Sequence, residues 1–292
     1  MSNNAFQPPK ASQSQEKPGL EQKMAPPSEV TRLDGSDGPV EYVGAAKLKH
    51  KKVLITGGDS GIGRSVAVLM AREGADVSIC YLPVEQSDAE DTKKMVEAEN
   101  QKCHLIPGDL RKYEFCQEVV QDHLQFHGAL NILVNNASKQ YSCNDLIAID
   151  LEKVEDTFQS NIMQMIAITK YALPHMSKGD SIINNTSVVT FRGTAGMVDY
   201  AATKGAIVGF TRSLAKQLMP KGIRVNAVAP GVIYTPIQAD TRDAESMKDL
   251  GAGKSLGRPG QASEVATSFV FLATPDSSFY YGQILHCYPL GD

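Results

Sequence analysis

Tryptophan is absent from this 292-residue chain, and cysteine and net charge are both scarce. The five cysteines (Cys80, Cys103, Cys116, Cys143 and Cys287) are odd in number, and no two are spaced as Cys-x2-Cys. Such a set provides neither a disulfide framework nor a zinc site, and it suits a reducing compartment. Lys and Arg number 29 against 33 Asp and Glu, for a net charge of −4. With no basic field to gather phosphates, nucleic acid is not an expected partner. No apolar run approaches the length of a spanning helix, and the N-terminus has no signal-like stretch, so a cytoplasmic protein without a membrane partner is expected. Repeats of solenoid period are missing too. The six histidines offer only His123 and His127 at a spacing of four, read as a solvated helix end, and no metal is expected.

Proline is unevenly spread. Six of the 15 prolines fall within the first 40 residues, among Gln, Ser, Glu and Lys. Residues 1–48 therefore read as a Pro-rich arm. It is either a disordered leader or an ordered strap along its own or a neighbouring subunit, with Phe6, Leu20, Met24 and Tyr42 as anchors. Residues 49–292 read as one domain, in which short apolar runs alternate with amphipathic stretches. Strands are predicted over 52–56, 76–81, 104–107, 130–135, 181–186, 224–229 and 283–287. Helices are predicted over 62–73, 88–99, 113–126, 152–175 and 200–219. Unbroken apolar strands alternating with helices imply an α/β fold, a doubly wound parallel sheet of the Rossmann type with about seven strands flanked by helices.

Between the first of these strands and its helix runs Thr56-Gly57-Gly58-Asp59-Ser60-Gly61-Ile62-Gly63-Arg64. Glycines permit positive φ and close backbone approach, and the free N–H groups and dipole of a helix N-terminus favour an anion. A glycine cluster alone serves equally well as a tight turn; its place in the first βα unit points to a dinucleotide. The Gly-x3-Gly-x-Gly spacing resembles the fingerprint of the short-chain dehydrogenase/reductase family, and the resemblance runs along residues 49–286. Asp109 and Leu110 follow the third strand, where the family meets the adenine. Asn135-Asn136-Ala137-Ser138 matches its Asn-Asn-Ala-Gly turn, with Ser138 in place of glycine. Pro230-Gly231-Val232-Ile233 and Thr235 match the segment that covers the nicotinamide. The front tail and Tyr81-Leu82-Pro83 are similar to an extended branch, the glucose/ribitol dehydrogenase homologues and NADP-dependent aldehyde reductases. The resemblance implies that these residues, with Gly57, Asp59, Ser60, Gly61, Ile62, Gly63, Tyr81, Asn136 and Ala137, hold a nicotinamide dinucleotide.

Tyr200 and Lys204, four apart on a helix, share a face. On their own they are an ordinary surface pair. In order with Asn161 and Ser187, they resemble the family's catalytic Asn-Ser-Tyr-Lys set. A phenol near its usual pKa is a usable acid but a poor base, and a nearby ammonium favours the phenolate. Ser187 is expected to donate to the substrate oxygen, and no nucleophile elbow surrounds it. Lys204 is expected on the nicotinamide ribose, and Asn161 is expected to hold a water that links Lys204 to solvent.

NAD-preferring members carry a carboxylate at the end of the second strand, where it bonds the ribose 2′-hydroxyl. Tyr81 stands there instead, so NADP(H) is expected, with NAD(H) the alternative. The expected substrate is a small carbonyl or alcohol, in a pocket lined by Tyr141, Val189, Met197, Val232 and Tyr234. Competing readings are a biosynthetic member that isomerises, dehydrates or cyclises, and a non-catalytic nucleotide binder. A homodimer or homotetramer is implied, built on the helix from Tyr200 and the long helix before it, with the arm wrapping a subunit. Pro289 and Leu290 replace the glycines that usually close the last strand, a departure that bears on subunit contacts and pocket closure.

Overall fold

The computed structural model describes residues 6–291. Its first strands, β1 (Arg32–Gly35) and β2 (Gly38–Glu41), form an antiparallel hairpin in which Gly35 pairs with Gly38 across two turn residues. No strand was predicted there: each is four residues long and mostly exposed, so neither shows an apolar face. The remaining elements alternate. They are β3 (Lys52–Thr56), α1 (Gly61–Arg72), β4 (Asp76–Tyr81), α2 (Gln86–Ala98), β5 (Cys103–Pro107), α3 (Tyr113–His127) and β6 (Ile132–Asn135). There follow α4 (Leu151–Phe158), α5 (Gln164–Ala172), β7 (Ser181–Asn185), α6 (Val189–Arg192), α7 (Val198–Leu218) and β8 (Arg224–Pro230). The chain ends with α8 (Pro236–Ala239), α9 (Ala244–Met247), α10 (Ala262–Ala273) and β9 (Ile284–Cys287).

Seven strands form one parallel sheet in the order β5-β4-β3-β6-β7-β8-β9. This is a single doubly wound Rossmann domain, as the alternation implied. The order reverses between β3 and β6, the switch point at which such sheets open a crevice beyond the strand ends. One core cluster holds Val53, Ile55, Val66, Leu69, Ile79 and Phe269; the other, on the opposite face, holds Leu54, Val119, Leu133, Ile168 and Leu218. Alternate residues of β3 thus point to opposite layers, so the whole strand reads as apolar.

Two expectations need correction. The helix predicted over 152–175 is not continuous: a π-helical turn, Gln159–Met163, separates α4 from α5, and Asn161 sits within it. Such turns gather at functional sites and keep the helical apolar spacing on both sides, which hides them in a sequence. His123 is not solvated either. It is fully buried, with Nδ1 against Ser78 Oγ at 2.8 Å and Nε2 against the Ala129 carbonyl at 3.0 Å. Burial drives its pKa down to about 3, so it is a neutral core residue.

Candidate active site

The glycine turn leaves β3 at Thr56, whose hydroxyl accepts hydrogen bonds from the Asn136 and Ala137 N–H groups at 3.0 Å each. This ties the ends of the two switch-point strands together. Gly57 and Gly61 have φ of +61° and +49°, a region that favours glycine. A Cβ on Gly63 would lie 1.8 Å from the Gly57 carbonyl oxygen, and one on Gly61 would lie 3.0 Å from Thr235 Cγ2. The turn is therefore closed to side chains at Gly61 and Gly63, where it packs against the chain's own backbone, Asn136 and Thr235. Arg64 N–H bonds the Ser60 carbonyl as the first helical bond, so Ile62 and Gly63 N–H lie outside the α1 ladder.

One cleft above the switch point is lined by Gly57, Asp59, Ser60, Gly61 and Ile62 on one side, and by Tyr81, Asp109 and Leu110 beyond β4 and β5. Asn136 and Ala137 form its floor; Ser187, Tyr200 and Lys204 close its inner end, under Pro230, Gly231, Ile233 and Thr235. Three predicted site residues are not on its wall. Gly63 packs behind the turn against Gly57 and Asn136, Asn161 is fully buried, and Val232 borders a separate cavity with Tyr288 and Pro289. None of the five residues expected to line a substrate pocket borders this cleft. Tyr234 is buried, its hydroxyl donating to the Pro26 carbonyl at 2.8 Å, and Tyr141 donates to Asp156 at 2.7 Å.

At the inner end, Lys204 Nζ lies 5.4 Å from the Tyr200 ring centroid and donates to the Asn185 carbonyl at 2.9 Å. Burial lowers the Lys204 ammonium to about 7. The Tyr200 phenol is pushed up to about 12 by burial, while hydrogen bonds with Ser187 and Ser138 pull the other way. Ser138, where the resemblance led one to expect glycine, also donates to Asn161 Oδ1 at 3.2 Å. The rest of the Asn161 amide is engaged as well. Its oxygen accepts from Lys139 N–H at 2.7 Å, and its nitrogen donates to the Lys139 carbonyl at 2.8 Å and Thr203 Oγ1 at 3.0 Å.

Among the described residues, three buried oxygens on this wall have no hydrogen-bond partner, Asp59 Oδ2, Gln164 Oε1 and Asn185 Oδ1. Orphaned polar atoms beside a cradle with no room for a Cβ fit a polar ligand such as a dinucleotide. Glu85 also borders the cleft; burial, and then the Asp59 carboxylate, hold it well above the usual carboxylate range. Sequence reasoning missed Glu85, Asn185 and the arm residues Lys17 and Gly19. For Asn185 a signal existed, since a polar pair ending an apolar strand is costly to bury without a purpose. For Lys17 and Gly19 there was none, because they meet the cleft only through the fold.

Comparison with known proteins bears directly on this geometry. The profile of the family described as enoyl-(acyl carrier protein) reductase matches residues 57–287. The chain belongs to the short-chain dehydrogenase/reductase family. It is an oxidoreductase of that family. It is 49% identical over 269 residues to an uncharacterized oxidoreductase of Bacillus subtilis, covering 92% of this chain and 90% of that protein. Identity to the chloroplastic NADPH-dependent aldehyde reductase of Arabidopsis thaliana is 44%, over 84% of this chain and 88% of the relative. With the glucose and ribitol dehydrogenase of Daucus carota it is 42%, covering 96% of this chain and 94% of the relative, so that match extends into the arm. Among solved structures, a short-chain dehydrogenase from Burkholderia cenocepacia in complex with NADP superposes with a TM-score of 0.77 at 30% identity, covering 82% of this chain and 97% of that one.

Proposed function

We propose that this protein is an NADP(H)-dependent oxidoreductase that interconverts a small carbonyl compound and its alcohol, with Tyr200 as the acid and base. The carrying observation is the meeting of Ser187, Tyr200 and Lys204 at the inner end of the cleft that opens at the glycine turn. Ile62 N–H would receive the diphosphate, Lys204 the nicotinamide ribose, and Thr235 with Pro230 and Gly231 would cover the ring. The bound nicotinamide supplies the hydride. Everything else is proton handling by this chain. Ser187 donates to the substrate oxygen and steadies the charge that builds there. Tyr200 Oη gives that oxygen a proton in reduction and takes it back in oxidation. Lys204, when charged, favours the phenolate left behind, and a water held near Asn161 returns the proton from solvent. Asn161 also holds the Ser138–Lys139 turn against α7.

Two features support NADP(H) over NAD(H). Tyr81 occupies the strand end where NAD-preferring sites carry a carboxylate. Glu85 nearby stays protonated at neutral pH through burial and does not repel a 2′-phosphate. The NADP-bound neighbour and the NADPH-dependent relative agree with this reading. Met163, Ile166 and Val198 are exposed apolar residues along the π turn, α5 and α7, which supports a homodimer or homotetramer formed on this face; a monomeric mass in solution would contradict it. The free thiols of Cys80, Cys103 and Cys116 support a cytoplasmic setting.

The test is NADPH consumption against a panel of carbonyl compounds, run with wild type and Tyr200→Phe. Turnover should fall roughly 10²- to 10⁴-fold, with NADPH affinity by fluorescence titration nearly unchanged. Equal turnover in the two proteins would remove Tyr200 from the reaction. NADH binding at least as tight as NADPH would overturn the cofactor preference.

A further inference from the structure

The Pro-rich arm does not merely lie on the surface; it crosses the mouth of the cleft. Gln15 N–H donates to the Ala239 carbonyl at 2.8 Å. Asp240 takes two donors from the arm, Lys17 Nζ at 2.5 Å on one oxygen and Gly19 N–H at 3.0 Å on the other. The Asp240 side chain is only 8% exposed and that of Lys17 22%, so this ion pair is shielded, unlike an ordinary surface pair. Gly19 passes close to Pro236: a Cβ there would lie 2.5 Å from the Pro236 carbonyl oxygen. Two residues on, the Glu21 carboxylate accepts from Gly61 N–H at 2.8 Å and Ser28 N–H at 3.2 Å. Glu21 is itself held, its N–H donating to Asp88 at 2.7 Å.

The arm therefore bonds both jaws of the cleft. One jaw is the glycine turn at Gly61; the other is the segment after Thr235 that would cover the nicotinamide. Lys17, Gly19 and Asp240 border the same cavity as Tyr200. The arm and the 236–240 segment both line this cavity and are bonded to each other.

We propose that the arm is a strap, built from the Lys17–Asp240 ion pair and the Glu21–Gly61 bond, that fastens the nicotinamide-covering segment to the phosphate-binding turn and sets how fast a dinucleotide leaves. Lys17, Glu21 and Asp240 are positioning residues; they act on the cofactor through the two jaws. The inference rests on the reading that the cleft binds a nicotinamide dinucleotide.

The experiment is stopped-flow displacement of bound NADPH from the full chain, for wild type, Lys17→Met, Lys17→Arg and Glu21→Gln. It is paired with amide hydrogen exchange of the ligand-free proteins. Lys17→Met and Glu21→Gln should each speed NADPH release by roughly tenfold, with smaller changes in the association rate. Lys17→Arg, which keeps the ion pair, should release NADPH at close to the wild-type rate. Exchange should quicken around Asp240 in Lys17→Met and at Gly61 in Glu21→Gln, with the sheet amides unchanged. Faster exchange with unaltered release would overturn the proposal and leave the arm a packing element. Tighter binding by Glu21→Gln would overturn it differently, by showing that the carboxylate competes with the ligand. Wild-type protein that binds neither NADPH nor NADH would sink the cofactor reading and the strap with it, whereas wild-type binding with unchanged release in the variants sinks the strap alone.

Discussion

Tyr200 and Lys204 are pushed by burial toward their neutral forms, the phenol up to about 12 and the ammonium down to about 7. A protonated phenol is the form that carbonyl reduction needs; the phenolate is the form that alcohol oxidation needs. Oxidative kcat should therefore climb with pH across the neutral and alkaline range, while reductive kcat stays level or falls. Parallel pH profiles in both directions check this, and an oxidative rate independent of pH would refute it. Ser138 and Ser187 both hydrogen-bond the phenol and lower its pKa. Ser138→Gly should then move the rise in oxidation to higher pH by roughly one pH unit, equivalent to about 1.4 kcal/mol. At the other end of the cleft, Glu85 is raised to about 8, mainly by burial. Below that pH it is neutral and tolerates a 2′-phosphate; above it, the carboxylate repels one. NADPH affinity should drop relative to NADH as pH rises through about 8, and Glu85→Gln should flatten the ratio.

Among the elements, the glycine turn was the most legible, because a backbone that must bend and approach a ligand leaves glycine as its sequence mark. Gly63 shows the demand most sharply. Gly63→Ala would set its methyl 1.8 Å from the Gly57 carbonyl oxygen and 2.7 Å from Asn136 Nδ2. Neither can yield without moving the turn. We expect a cost of about 1–3 kcal/mol in denaturant unfolding, with loss of NADPH binding; binding at wild-type affinity would mean the turn is not the phosphate cradle. The strands of the parallel sheet were legible as well, since burial on both faces writes an apolar run, and β3 and β4 begin and end where the pattern said; the exposed hairpin strands β1 and β2 were not. The π turn was not legible. One extra residue per turn costs no apolar position, yet it places Asn161 where its amide clasps Lys139 and Thr203.

At the scale of the whole molecule the arm matters most. Met24 is buried with Tyr234, Ala239, Met247 and Leu250 in a cluster of its own, seated on the far side of the segment that borders the cleft. Met24→Ala should cost about 2–4 kcal/mol through the lost contacts and the cavity left behind, measured by denaturant unfolding. A cost near zero would mean the arm adds nothing to the body it lies on. By itself the sequence determined the layered α/β domain, its parallel sheet through the βα alternation, and the order Asn161, Ser187, Tyr200, Lys204. These depend on local periodicity and on spacing within single elements. Only the tertiary structure decided that Lys17 and Glu21 reach Asp240 and Gly61, that Ser138 joins the phenol, and that Tyr141 and Tyr234 turn away from the cleft. Those contacts join residues as far as 223 positions apart. No periodicity records such a pairing, because either partner is an unremarkable polar residue until the chain has folded.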